Sequence, residues 1–269
     1  MDFFQALINY GFMQNALLAG ILASIACGIT GAFVIIKRLT FISGGIAHTA
    51  LGGIGVAYYC GADLIKGSII SALLSAVIIG FVTVKSNEHT DTVIGALWAI
   101  GMAVGVIFLS LTPGYNVNVV SYLFGNILMV SPADLWKLFI LDICIIVIVF
   151  VFYRQFISIS FDEAYSKIRG IWVKTIYILL LCLIALTVVV LINVVGLILV
   201  IALLTIPSAI SRIFTGNIRS MILISIGIGF AITVLGLAVS YGPNLPAGPM
   251  IILISGLFYL LTVRIKRIY

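Results

Sequence analysis

Long apolar runs separated by short polar segments make up almost the whole chain. They predict helices of roughly 20 residues, the length that crosses the hydrocarbon core of a bilayer. We place nine, at about 13–36, 42–60, 65–84, 92–111, 133–153, 172–193, 195–213, 219–240 and 247–264. Eight spans are the alternative if 195–213 or a neighbouring segment is only a half-helix. The tight connection that contains Asn193 and Gly196 predicts a helical hairpin or a broken helix. The pattern predicts an all-α, polytopic membrane protein.

One segment and one proline interrupt this regular pattern. Residues 115–131 are too short and too polar for a confident span, and they favour a re-entrant or interfacial helix. Such backbone is tolerated at membrane depth only where other protein buries it. Pro207 lies inside the seventh predicted helix, and we expect it to kink or interrupt that helix.

The composition excludes a soluble protein. Of 269 residues, 63% are hydrophobic and 8% are charged, whereas a soluble domain carries about 25% charged residues. The net charge of +6 indicates orientation rather than nucleic-acid binding, because cytoplasmic loops hold the excess of basic residues. Four scattered cysteines form no CxxC pair, and they are typical of small buried apolar residues.

The basic residues predict an N-out, C-in topology. With nine spans, 12 of the 14 fall in cytoplasmic segments, and only Lys66 and Lys137 lie outside. The cytoplasmic set is Lys37, Arg38, Lys85, Arg154, Lys167, Arg169, Lys174, Arg212, Arg219, Arg264, Lys266 and Arg267.

Glycines are concentrated inside the spans. Gly101 and Gly105 have GxxxG spacing, and Gly52, Gly53 and Gly55 form a cluster. Small residues let membrane helices approach closely, so we expect close helix packing at these positions. The alternative is a helix made thin to leave room for a pathway.

The longest polar stretch, residues 154–170, predicts a short cytoplasmic helix at about 158–170. Acidic residues stand in its first turn and basic residues near its end, which complements the helix dipole. Phe161 and Tyr165 are four residues apart and are expected to share one face. Such a helix suits docking into a groove of a partner protein, or it rests on lipid headgroups.

Seven blocks of the sequence resemble a known family in their order and spacing. They are FMQNALLAGILASIACGITGAFVIIKRL (12–39), ISGGIAHTALGGIG (42–55), DTVIGALWAIGMAVGV (91–106), SYLFGNILMVS (121–131), FDEAYSKIRG (161–170), VGLILVIALLTIPSAISRI (195–213) and GLAVSYGPNLPAGPMIIL (236–253). Together they resemble the permease subunits of ABC importers for zinc, manganese or iron.

The resemblance implies one transmembrane permease domain over residues 1–269, in the inner membrane of a prokaryotic cell. It implies a homodimer among membrane lipids, with two separate ATPase subunits and an extracytoplasmic metal-binding protein. The homodimer would import divalent metal ions by alternating access at its interface. Zinc is the expected ion, and manganese and iron are the alternatives. The chain has no GxxxxGK[ST] phosphate loop, so ATP hydrolysis is expected in the partner, and no tightly bound cofactor is expected.

In this family the short cytoplasmic helix couples ATPase closure to the membrane helices. The resemblance assigns this role to Phe161, Asp162, Glu163, Ala164, Tyr165, Lys167 and Gly170.

The sequence departs from the family pattern at three points. Gly44 stands where many members have Asp, four residues before the second-helix His. Gly52-Gly53 replaces a Pro-Gly pair, and Asn244 replaces an acidic residue. With fewer carboxylates along the route, the identity of the metal stays open.

Two span residues are candidates for transient contact with metal. His48 lies about 9 Å from the cytoplasmic end of its helix, and imidazole binds zinc, iron and nickel well and tolerates manganese. Asp142 lies near the middle of its span, where a carboxylate costs about 2.5–3.5 kcal/mol. The structural alternatives are a packed, hydrogen-bonded His and a protonated Asp at the dimer interface.

Two polar segments outside the spans are weaker candidates. Glu88, His89 and Asp91 could form an exit site, or a solvated loop in which Thr90 or Asp91 caps the next helix. The proline-rich stretch 241–249 could form part of an outer gate, a docking surface for the binding protein, or a rigid extracellular turn.

Three other classes of protein are alternatives. A secondary ion-coupled transporter needs paired ionisable groups in its spans, and only Asp142 and His48 are present. An intramembrane zinc protease needs a motif such as HExxH, which the sequence lacks. An ABC permease for a metal chelate, such as a siderophore or cobalamin, is the nearest alternative.

Overall fold

The computed structural model describes residues 3–85, 90–112, 125–243 and 245–266, and the regular elements in these ranges are all helical. The α-helices are α1 Phe3–Asn9, α2 Gly11–Ile36, α3 Thr40–Tyr59, α4 Leu64–Lys85, α5 Thr90–Ser110, α6 Pro132–Phe161, α7 Glu163–Ile168, α8 Val173–Val195, α9 Leu197–Phe214, α10 Ile218–Tyr241 and α11 Ala247–Lys266. A short 3-10 helix spans Ile127–Met129. It lies in the segment predicted to be re-entrant or interfacial, of which residues 115–124 are outside the described ranges.

Within the described ranges, nine helices are long and apolar enough to cross a membrane, namely α2–α6 and α8–α11. This confirms the all-α polytopic class and the nine predicted spans. The N-out, C-in orientation stays a prediction.

Helix α6 is longer than the sequence predicted. The predicted end at residue 153 is wrong, because the helix continues to Phe161. Phe156 and Ile159 are fully buried and extend its buried face past Arg154, which the polar pattern had marked as loop. At Phe152 the backbone (φ −100°, ψ 15°) departs from helical values and kinks the helix. Helix α1 was also missed, since its seven residues are too few to span a membrane.

The predicted break between the sixth and seventh spans is a single residue, Gly196. Its backbone (φ 90°, ψ 156°) lies in a region that side chains strongly disfavour, so α8 ends at Val195 and α9 begins at Leu197. Pro207 lies inside α9, which continues through it, so the expected interruption did not occur.

The chain divides into two compact units. The middle unit comprises Ile36–Asn118 and Val147–Val190, and the terminal unit comprises Met1–Ile35, Val119–Ile146 and Leu191–Tyr269. The prediction of one permease domain is not tested by this division.

Glycines bring α3 and α5 together in the middle unit. A Cβ atom placed on Gly101 would lie 2.6 Å from the Cα atom of Thr49, and one on Gly105 would lie 2.8 Å from the carbonyl oxygen of Leu51. Real Cβ contacts are essentially never this short. The GxxxG pair is therefore a close-packing surface, as its spacing predicted.

In the terminal unit, α9, α10 and α11 pack on one another. The Oγ atoms of Ser208 and Ser225 lie 2.8 Å apart and link α9 to α10 in a buried hydrogen bond. The guanidinium of Arg212 donates to the carbonyl oxygen of Ile35 at 3.0 Å and ties the end of α9 to the end of α2.

Candidate functional site

His48 lies in the middle of α3 and is half-buried. Its imidazole stacks on the indole ring of Trp98 from α5, with the ring centroids 4.3 Å apart and the planes at 13°. The indole Nε1 in turn donates to the sulfur of Met102 at 3.2 Å. Trp98 was not predicted as a partner of His48. The glycine spacing could have indicated this contact, because Trp98 stands three residues before Gly101 and so belongs to the α5 segment that packs on α3.

The same indole ring also covers Gly44. A Cβ atom at Gly44 would meet the ring at 3.6 Å, which is ordinary van der Waals contact. Trp98 therefore occupies the space beside Gly44. The surroundings of His48 are aromatic on this side.

Asp142 lies in the part of α6 that belongs to the terminal unit, and it is 3% exposed. Neither carboxylate oxygen has a hydrogen-bond partner among the described residues. A buried carboxylate without a partner is costly in a protein interior. His48 belongs to the other unit, and the described ranges contain no cluster of three or more His, Cys, Asp or Glu that could hold a metal ion.

The predicted cytoplasmic trio is only partly described. Glu88 and His89 lie outside the described residues. Asp91 is exposed and stands in the first turn of α5, where a carboxylate complements the positive end of the helix. It lines a small cleft of about 220 Å³ together with Lys37, Arg38 and Glu163.

A larger cavity of about 710 Å³ opens between α3, α4 and α5. Its serine and threonine hydroxyls are turned toward backbone carbonyls. The hydroxyl of Ser71 donates to the carbonyl oxygen of Thr49 at 2.7 Å, and the hydroxyl of Ser75 donates to the carbonyl oxygen of Ser71 at 2.9 Å. The wall is therefore apolar except near Asp63 and Lys66, and it offers little to a hydrated cation.

The cytoplasmic helix predicted at about 158–170 is shorter in the structure. Residues 158–161 belong to α6, and the separate helix is α7, Glu163–Ile168, which is capped at both ends. Asp162 is extended, and its Oδ1 accepts from the backbone N–H of Tyr165 at 2.9 Å, which is the standard N-cap geometry. Gly170 has φ +76°, a left-handed conformation that favours glycine and ends the segment. Glu163 stands in the first turn of α7 and Lys167 in the last, as the dipole pattern predicted.

One detail of that prediction was wrong. Phe161 is the last residue of α6 and Asp162 breaks the helix after it, so Phe161 and Tyr165 do not lie on one helical face. Both rings are nevertheless exposed, at 68% and 48%. With Ile168 and Trp172, exposed at 85% and 79%, they form an apolar surface around α7.

A pair of serines fixes α7 to the end of α6. The Oγ atoms of Ser158 and Ser166 lie 2.7 Å apart, and Ser166 is fully buried. Ser166 also donates to the carbonyl oxygen of Asp162 at 2.6 Å. These serines were not predicted as a pair, since serine is common in helices and only the fold shows that they face each other.

Comparison with known proteins decides the family. Residues 9–266 match the profile of ABC-3, the ABC 3 transport family. The chain belongs to the ABC 3 transport family. This confirms the resemblance seen in the sequence motifs. An ABC 3 protein is a membrane subunit of a transporter and not an enzyme, and ATP is hydrolysed by a separate subunit. The chain is accordingly a multi-pass protein of the prokaryotic inner membrane.

Three similar proteins cover nearly the whole ABC 3 chain. A probable metal transport system membrane protein of Chlamydia trachomatis is 39% identical over 94% of this chain and 89% of its own length. The manganese transport system membrane protein MntC of Halalkalibacterium halodurans is 31% identical over 96% and 89%. The solved structure of PsaBC from Streptococcus pneumoniae in complex with Fab has a TM-score of 0.85 at 32% identity, covering 97% of this chain and 94% of that one.

Proposed function

We propose that this ABC 3 permease imports divalent transition-metal ions as a homodimer, driven by two copies of a separate ATPase and supplied by an extracytoplasmic metal-binding protein. The observation that carries the proposal is the match of residues 9–266 to the family together with relatives named for metal and manganese transport. Because a relative is named for manganese, manganese replaces zinc as the first ion to test.

The proposed mechanism is alternating access at the interface of two copies of the chain. Closure of the ATPase dimer would push on α7, whose apolar surface around Phe161, Tyr165, Ile168 and Trp172 suits the groove of a partner. The cap at Asp162 and the turn at Gly170 make α7 a rigid element that transmits this push.

His48 and Asp142 are the proposed contacts of the ion in the membrane. His48 offers an imidazole nitrogen on α3, and Asp142 offers an unpartnered carboxylate on α6. Two isolated donors suit a permease, because conduction requires that the ion leaves each contact as readily as it enters. Asn244 lies outside the described residues, and the outer-gate hypothesis for 241–249 stays a prediction.

The test is reconstitution of the permease with its ATPase and binding protein in proteoliposomes. We expect ATP-dependent accumulation of manganese, zinc or ferrous iron, measured by elemental analysis, and a complex with two permease and two ATPase copies by native mass spectrometry. Uptake that persists without the ATPase would instead indicate a secondary transporter. Uptake only of a chelated metal would indicate a chelate permease.

The role of α7 is tested separately with Phe161→Ala. We expect assembly to survive and the number of ions transported per ATP to fall. Phe214→Ala is the matched control, because Phe214 is also exposed, at 66%, and ends a helix on the same predicted side. Unchanged uptake in the Phe161 variant would contradict the coupling role.

A further inference from the structure

A lysine at the start of a tight turn contacts the coupling helix. Lys37 directly follows α2, and its side chain is 12% exposed. Its Nζ forms an ion pair with Oε1 of Glu163, the first residue of α7. The same Nζ lies 5.4 Å from the centroid of the Tyr177 ring, within cation–π range. One ammonium group therefore joins α7 and α8 to the segment that precedes α3.

The connection that carries Lys37 is too short to absorb movement. Only Lys37, Arg38 and Leu39 separate α2 from α3. Arg38 adopts a left-handed conformation with φ 58°, which is unusual for a residue other than glycine. Leu39 is 6% exposed and so is held by packing. A displacement of Lys37 is therefore passed to Thr40 and the rest of α3.

On the other side of the ion pair, the backbone of Glu163 is held in place. It follows the N-cap residue Asp162, and the buried Ser158–Ser166 hydrogen bond holds α7 against the end of α6. A carboxylate in the first turn also interacts favourably with the helix dipole. Movement of α7 as a rigid body would carry the carboxylate of Glu163 with it.

We infer that Lys37 is a positioning residue that transmits the movement of α7 to α3, the helix that bears His48. The inference rests on the proposed coupling role of α7. His48 lies eight residues after Thr40, or about 12 Å along a helix at 1.5 Å per residue. The link therefore connects the predicted ATPase contact to the candidate ion contact within the middle unit.

The charges around the pair make it suitable for a charge-swap experiment. The cleft beside it is also lined by Arg38 and Asp91, one of each sign. The reversed pair would lose the cation–π contact with Tyr177 and would place a lysine at the positive end of α7, so its recovery should be partial. Glu163 is about half exposed, and ion pairs near the surface add little to folding stability. Removing the pair should therefore change coupling rather than abolish the fold.

The experiment uses the complete transporter in proteoliposomes and measures metal ions transported per ATP hydrolysed. We expect Lys37→Gln and Glu163→Gln each to lower this ratio at least fivefold while the ATPase still co-purifies. The double variant Lys37→Glu, Glu163→Lys should restore at least half of the ratio. Arg154→Gln, which removes an exposed cation from α6 on the same predicted side, is the matched control and should leave the ratio unchanged.

A second readout follows α3 directly. Cys60 ends this helix and is exposed, whereas Cys27 is buried and Cys144 and Cys182 are partly buried. We expect the rate at which N-ethylmaleimide labels Cys60 to differ between the nucleotide-free and ATP-trapped complexes. This difference in labelling rate should shrink in the Lys37→Gln variant and return in the charge-swap variant. The Cys60→Ser variant measures the labelling of all other sites.

The outcomes separate this inference from the function on which it rests. If Phe161→Ala uncouples transport but the Lys37 variants do not, the lysine link is wrong and the coupling role of α7 stands. If neither uncouples transport, the coupling role itself fails. A charge swap that restores nothing, loss of the ATPase from the Lys37 variants, or nucleotide-independent labelling of Cys60 in the parent complex would each overturn the link.

Discussion

The contact between α3 and α5 allows a stability prediction with an internal control. Gly101→Ala would place a methyl group 2.6 Å from the Cα atom of Thr49. Because that neighbour is backbone, the helices would have to separate, and overpacking of this kind costs about 1–3 kcal/mol. Gly95→Ala on the same helix meets nothing within 4 Å.

The Gly95→Ala control removes the main confounding contribution, which is the change in intrinsic helix stability. Replacing glycine by alanine inside a helix adds about 0.8–1 kcal/mol of intrinsic helix stability, and this gain is common to both variants. The difference between the two variants therefore isolates the packing cost of about 1–3 kcal/mol. At about 2–4 °C per kcal/mol for a chain of this size class, Gly101→Ala should melt several degrees below Gly95→Ala.

Thermal unfolding of the two variants, purified in the same detergent, measures this difference. Gly105→Ala should behave like Gly101→Ala, because its methyl group would meet the carbonyl oxygen of Leu51 at 2.8 Å. Equal melting temperatures for the Gly95 and Gly101 variants would refute the assignment of this surface as a close backbone contact. Since α3 carries His48, we also expect the two destabilised variants to transport more slowly.

Three further changes test the coupling helix and the buried carboxylate. Asp162→Ala removes the acceptor for the N–H of Tyr165 and should destabilise α7 by about 1 kcal/mol; uptake should fall, and Asp162→Asn should retain it. Gly170→Ala forces a side chain into the left-handed region at about 1–2 kcal/mol, so amide exchange in α7 should quicken, whereas Gly170→Asn should recover most of the protection. Asp142→Asn removes no hydrogen bond seen in the described chain, so the melting temperature should hold while uptake falls at least tenfold; full uptake would contradict its role in the ion path.

The membrane helices were predictable because the signal for each lies in its own residues. Apolar length located the nine spans, and the spacing of Gly101 and Gly105 predicted a close helix contact. The ends of α7 were predictable for the same reason. Asp162 and Gly170 are residues whose local chemistry favours a cap and a left-handed turn, respectively.

What the sequence could not show depends on which segments meet in space. Arg154 reads as the start of a loop, yet α6 continues because Phe156 and Ile159 find buried positions beyond it. Lys37 and Glu163 are 126 residues apart, and no local pattern pairs them. The stacking of Trp98 on His48 likewise depends on the register of α5 against α3, which the glycines permit but do not fix.

The surroundings of His48 bear on how selectivity can arise. The indole ring of Trp98 lies beside Gly44 as well as against His48. The stacked ring covers a face of the imidazole, whereas metal coordination uses a nitrogen in the ring plane, so stacking and coordination are compatible. The π face of Trp98 also stabilises a nearby cation. It therefore favours a metal-bound imidazole at His48, although the indole is not itself a ligand. One nitrogen donor discriminates weakly among first-row divalent ions, whose affinities follow the same order at most sites. We therefore expect substitution of Trp98 to change the rate of passage more than the choice of metal, and the choice of metal to be made before the ion enters the membrane.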